Sequence, residues 1–309
     1  MKNIVILFCL WFSSTVYSQC ASLPAQCDLM RLEICEDQTL SLIDRVKNEI
    51  SNGVLPNDID TLYLSALSGD KQSQFLLGAD ISNSDVGSRM RNICWLTLSS
   101  ELGVLESYHF IGKIYGDYDN ALYDFDKAVS YYGMSIDKRS QLASDSYFEL
   151  GLMYQSRDMQ NHNADLSIRY HKLASELGHP EASYNLGVEY QTAGNVDSIS
   201  RAVKYYNRSI ESPRLDIKTP ILPFAYNNLG VIYLTSDKFF NPSLSVSFFE
   251  KAVSAGANNA NYYLGYIYAE GIGVEVDRRM AKDYFQVLAL EGDAASMAAI
   301  DMYKLNDDF

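Results

Sequence analysis

A stripe of small and apolar positions at helical spacing recurs six times along the chain. Set in register on glycine, it gives Gly78, Gly112, Gly151, Gly187, Gly230 and Gly265, separated by 34, 39, 36, 43 and 35 residues. Five residues before each glycine stands Ser or Ala, and one before it Leu or Ile. Three after it comes Ile81 in the first unit, then Tyr115, Tyr154, Tyr190, Tyr233 and Tyr268. These offsets share one side of an α-helix, so the stripe is the buried face of a first helix, A. A glycine inside a helix costs roughly 1 kcal/mol relative to alanine. Its return at the same place implies that another helix crosses too closely there to admit a Cβ.

That second helix, B, is marked downstream by Trp95, Tyr131-Tyr132, Tyr170, Tyr205-Tyr206, Phe248-Phe249 and Tyr284-Phe285. Gly69, Gly103, Gly178, Gly256 and Gly292 stand where helix B should end, as left-handed caps. Alternation of period two is absent, and none of the seven prolines interrupts a predicted helix. A supersecondary unit repeated at this period stacks into an array. The expected fold is therefore all-α, an α-solenoid of stacked antiparallel helix pairs.

The clearest unit carries Tyr262, Leu264-Gly265, Tyr268, the turn Glu270-Gly271-Ile272-Gly273-Val274, Asp277, Ala281 and Tyr284. It resembles the Sel-one-like repeat, a relative of the tetratricopeptide repeat; the other units lack the Gly-x-Gly-Val turn. The resemblance covers residues 59–309, about six repeats and a C-terminal cap helix in which Asp301 and Lys304 replace Gly and Tyr. It implies a right-handed superhelix and adaptor roles in envelope assembly, signalling or host contact. One inter-unit connection, between Pro213 and Gly230, is expanded and offers a loop.

The N-terminus reads differently. Lys2, the apolar run Ile4 to Phe12 and the stretch Val16-Tyr17-Ser18 form an expected signal peptide over residues 1–18. The apolar run is about half of the ~20 residues that span a bilayer, and no later segment is long enough, so the protein is not expected to be membrane-spanning. Export to the periplasm or beyond gives Cys20, Cys27, Cys35 and Cys94 an oxidising setting. Two disulfides are then possible, with three connectivities. Cys20, Cys27 and Cys35 place a cysteine-containing cap at residues 19–58.

Charge narrows the partners. The chain carries 25 Lys and Arg against 39 Asp and Glu, a net charge of −14; removing Lys2 with the leader gives 24 − 39 = −15. Nucleic acid is not an expected partner, because basic surfaces supply that affinity.

Candidate chemistry is sparse. His109, His162, His171 and His179 show no metal-ligand spacing, and Asp117-Tyr118-Asp119 opens no calcium loop, since Leu122 and Ala128 fall where Gly and Glu belong. Ser-x-x-Lys occurs at Ser68–Lys71 and Ser135–Lys138, but Ser-Asp-Asn is missing and Lys218-Thr219-Pro220 replaces Lys-Thr-Gly. No cofactor is expected.

The expected function is a non-catalytic exported scaffold that binds an unidentified protein or peptide. The tetratricopeptide relationship implies that positions −2, +1 and +4 from each repeat glycine face the concave side. These include Glu149, Asn185, Asn228 and Tyr263, then Lys113, Leu152, Val188, Val231 and Tyr266, then Gln155, Gln191 and Leu234. Glu149, Asn185, Gln191, Asn228, Tyr263 and Tyr266 are the candidate peptide-binding residues. Asn185 and Asn228 occupy the same place in successive units, where amides suit a peptide backbone. Two competing readings are a β-lactam-binding or hydrolysing enzyme, and a cell-wall glycan-binding protein whose tyrosines stack on sugars.

Overall fold

The computed structural model describes residues 62–63, 65–66, 69–82, 85–156, 161–215 and 220–305. The expected leader, the 19–58 cap with Cys20, Cys27 and Cys35, Ser68 and the Lys218-Thr219 pair lie outside them. The chain divides into two compact units, Met1–His162 and Asn163–Phe309. All regular elements among the described residues are α-helices.

The first unit contains α1 (Lys71–Ala79), α2 (Val86–Glu101), α3 (Glu106–Gly116), α4 (Phe125–Asp137) and α5 (Ala143–Gln155). Helix α1 packs chiefly on α2, and α3 on α4. The second contains α6 (Ala164–Glu176), α7 (Pro180–Ala193), α8 (Val196–Ile210), α9 (Leu222–Thr235), α10 (Pro242–Ser254), α11 (Ala260–Glu270), α12 (Arg278–Leu290) and α13 (Ala294–Met302). Here α7 pairs with α8, α9 with α10 and α11 with α12.

Local chemistry sets the helix ends. Every helix B is entered through an Asp or Asn whose side chain accepts a hydrogen bond from the third helical N–H: Asp85, Asp124, Asn163, Asn195, Asn241 and Asp277. The corners after α2, α6, α10 and α12 close on left-handed glycines, for example Gly178 at φ 84° and Gly256 at φ 103°. After α4 the chain offers no glycine, and Arg139 takes that conformation at φ 56°, at a cost of roughly 1 kcal/mol or more.

The repeat glycines lie where the helices cross. A Cβ on Gly187 would stand 2.5 Å from the Tyr206 ring, and one on Gly230 2.7 Å from Phe249. Gly112 meets Tyr132 at 2.8 Å, Gly265 meets Phe285 at 2.9 Å, and Gly78 meets Leu96 at 2.6 Å. Carbon atoms prefer about 3.5–4.0 Å, so a methyl group does not fit. The four covering rings are fully buried. Gly151 is likewise buried, on α5.

The aromatic pairs on helix B divide their labour. The second member covers the glycine, and the first stacks on the tyrosine three residues beyond it. Tyr131 stacks on Tyr115 at 5.9 Å, Tyr205 on Tyr190 at 5.5 Å, Phe248 on Tyr233 at 5.5 Å and Tyr284 on Tyr268 at 5.8 Å. Each such pair contributes about 0.5–1.5 kcal/mol beyond its buried area. Tyr154 instead meets Phe125 edge-on at 5.5 Å.

Small residues seal the contact between one pair and the next. Ala182, Ala225 and Ala260 are fully buried. In the first unit the same position is Ser107, bonded to Ser99 at 2.5 Å, and Ser146, which donates to Ser135 at 2.9 Å. On α13 Asp301 is exposed, at the position where the other repeats bury a glycine.

Candidate functional site

The nominated residues fall into two sets, one in each unit. In the first, Glu149 on α5 reaches the Lys113 ammonium of α3 at 3.9 Å. Burial raises the Glu149 pKa, and the Lys113 charge opposes that shift. The other five lie on helices A of the second unit: Asn185 and Gln191 on α7, Asn228 on α9, Tyr263 and Tyr266 on α11.

Tyr206 brings two of these five together. Its ring covers Gly187, and its hydroxyl emerges between α7 and α9. There it donates to Gln191 Oε1 at 2.6 Å and accepts from Asn228 Nδ2 at 3.0 Å. Burial raises the Tyr206 pKa, so the phenol stays protonated and can fill both roles. This relay leaves the Asn228 Oδ1 acceptor and the Gln191 Nε2 donors on the half-buried helix-A face. An acceptor beside donors matches the N–H and C=O of an extended peptide. Asn185 and Asn228 share a register position but not their surroundings, because only Asn228 is fixed by the tyrosine.

Apolar surface accompanies the amides. Val188 is 38 % exposed and Tyr266 37 %. Tyr263 stacks face to face on buried Phe249 at 4.8 Å, so its ring belongs partly to the core. Other tyrosines stack on one another in the pairs described above, which accounts for much of their number without a sugar ligand.

The catalytic candidates are placed differently. Ser135 is fully buried, and accepts the hydroxyl of Ser146, which lies 3.0 Å from His109 Nδ1. This is a chain of three buried polar groups in the interior of the unit. The Lys138 ammonium sits over the Tyr108 ring at 5.4 Å. Among the described residues no group of His, Cys, Asp and Glu is arranged to hold a metal, and no helix is long and apolar enough to cross a membrane.

His171, which the sequence offered only as a histidine without metal-ligand spacing, has a buried place in the structure. It stands on α6, 3 % exposed, at the position that Tyr206, Phe249 and Phe285 occupy in other repeats. Burial first, then the neighbouring His179, pulls its pKa down to about 4, so it is neutral at pH 7. Its place seven residues before the cap Gly178 was the available signal.

The Sel1 repeat family model matches residues 105–140, 144–179, 180–212, 223–256 and 258–293, which is more than half of the chain. The α1–α2 pair precedes these five, though its Gly78 is covered in the same manner by Leu96. Among solved structures, a protective antigen of uropathogenic Escherichia coli with an SLR fold is similar over 88 % of this chain, with TM-score 0.64 and 19 % identity. A Sel1 repeat protein from Oxalobacter formigenes is similar over 82 %, with TM-score 0.58 and 22 % identity. The chain spans 57 % of the first protein and 73 % of the second. Nothing among curated proteins matches the sequence.

Proposed function

The chain belongs to the Sel1 repeat family, whose members are generally protein-interaction scaffolds, and we propose that it is a non-catalytic scaffold that grips an extended partner segment on its helix-A face. The observation that carries this reading is the relay from Asn228 through Tyr206 to Gln191, which holds two amides in fixed orientation, with exposed Val188 one turn before Gln191 on α7. Fixed amides bind a peptide backbone with less ordering cost than mobile ones. On this reading the partner contributes main-chain hydrogen bonds at the amides and an apolar side chain at Val188.

Export belongs to the same proposal. It rests on Lys2, the apolar run from Ile4 to Phe12, and the even set of Cys20, Cys27, Cys35 and Cys94 that follows that run. An oxidising compartment outside the cytoplasm fits that set.

The test is quantitative capture of the partner from the native compartment, with wild type and the Asn185→Ala, Asn228→Ala double variant. Losing two amides should weaken capture about tenfold with helical circular dichroism unchanged. Equal capture by the variant would reject this face.

A further inference from the structure

A second surface of the Asn163–Phe309 unit has chemistry opposite to that of the whole chain. In a protein of net charge −14, four cations gather around the stacked pair Tyr190 and Tyr205. Arg201 lies 5.4 Å and the Lys172 ammonium 5.9 Å from the Tyr190 ring, and Lys204 lies 6.0 Å from the Tyr205 ring. Burial raises the Tyr205 pKa; Lys172 and Arg208 oppose that shift and Glu176 adds to it, which places Arg208 and Glu176 in the same field. No carboxylate among the described residues lies within ion-pairing distance of any of the four. Arg201, Lys204 and Arg208 follow the i, i+3, i+7 spacing that puts them on one side of α8.

This cationic side borders a cavity of about 760 Å³ between the C-terminal ends of α6 and α8. Lys204 and Arg208 enter its wall, and Leu177, 53 % exposed, gives it an apolar patch together with Pro213. Glu176 and Glu211 also line it. Two cations and two acids leave the cavity itself near neutrality, and Glu176 also acts on the Tyr205 hydroxyl, so the excess positive charge rests on Lys172 and Arg201 at the Tyr190 ring.

We propose that this surface is a docking site for a short acidic peptide segment, its carboxylates on Lys172, Arg201 and Lys204 and an adjoining apolar side chain in the cavity on Leu177. The overall negative charge selects for a short ligand. Screening over about 8 Å lets the local cations dominate for a peptide of that reach. A long polyanion would run on across acidic surface and be repelled. The site lies on helices B and their corners to the next helix A, apart from the Asn228 amide face, so either can fail without the other.

The experiment is fluorescence anisotropy with a labelled Glu-Asp-Glu-Leu peptide, its Gln-Asn-Gln-Leu and Glu-Asp-Glu-Ser counterparts, and labelled single-stranded DNA. The protein is used as wild type and as the Arg201→Glu, Lys204→Glu variant; both side chains are exposed, and folding is verified by circular dichroism. The acidic leucine peptide should bind wild type at least about tenfold more tightly than either counterpart or the variant does, with affinity falling as salt rises. Equal binding of acidic and amide peptides, an unaffected variant, or DNA bound more tightly than the peptide would each overturn the proposal.

Discussion

Replacing Gly187 with alanine tests why the chain keeps glycine inside helices. The new Cβ would stand 2.5, 2.6 and 3.0 Å from three carbons of the Tyr206 ring. The ring is fully buried, and its hydroxyl is held at both Gln191 and Asn228, so it has no direction in which to retreat. Overpacking of this kind costs about 1–3 kcal/mol, and a gap about 1 Å short of contact distance belongs at the upper end. Alanine returns about 1 kcal/mol through helix propensity, leaving a net loss of roughly 2 kcal/mol. Gly133, inside α4, supplies the control, since a Cβ there meets nothing within 4 Å. Gly133→Ala should stabilise by about 0.5–1 kcal/mol. Urea unfolding followed by circular dichroism reads both variants. Opposite signs are expected; a Gly187→Ala protein as stable as Gly133→Ala would refute the close-crossing argument.

Other outcomes follow from the same contacts. Ser99→Ala should cost about 1–3 kcal/mol, because it leaves the buried Ser107 hydroxyl without its mate, and Ser107→Ala less, because Ser99 keeps its bond to the Leu96 carbonyl; the double variant should cost less than the sum in a double-mutant cycle. His171 binds a proton in the unfolded chain below pH 6.5 but in the folded one only near pH 4. Its stabilising effect is therefore complete above pH 6.5 and lost as pH falls towards 4, by about 3 kcal/mol. Urea midpoints measured across that window should show a fall in wild type that His171→Phe reduces; equal pH dependence in both proteins would exclude His171 as its source.

The repeat was legible because its signal is local and periodic. Glycine, the residue before it and the tyrosine after it lie within one helical turn of each other, and six copies make the register unmistakable. The aromatic pair on helix B was visible too, although its division between stacking on tyrosine and covering glycine needed coordinates. The Gln191–Tyr206–Asn228 relay was only half legible. The two amides carry the right offsets, but the hydroxyl joining them comes from the intervening helix, where other repeats have Phe249 and Phe285. His171 was weighed only as a metal ligand, and its buried place at the ring position was missed because Tyr170 beside it satisfied the aromatic pattern. The basic face of α8 was hidden by the chain's overall acidity, since net charge says nothing about where cations gather.

Site-specific photo-crosslinking tests the scaffold account most directly. A photoreactive residue in place of Val188 reports on the helix-A face, and one in place of Val287, 42 % exposed on α12, serves as the reference. In the native compartment, the account predicts a partner adduct at Val188, absent at Val287 and lost when Gln191 and Asn228 are changed to alanine. Adducts of equal yield at both positions, or an adduct at Val188 indifferent to those two amides, would contradict it.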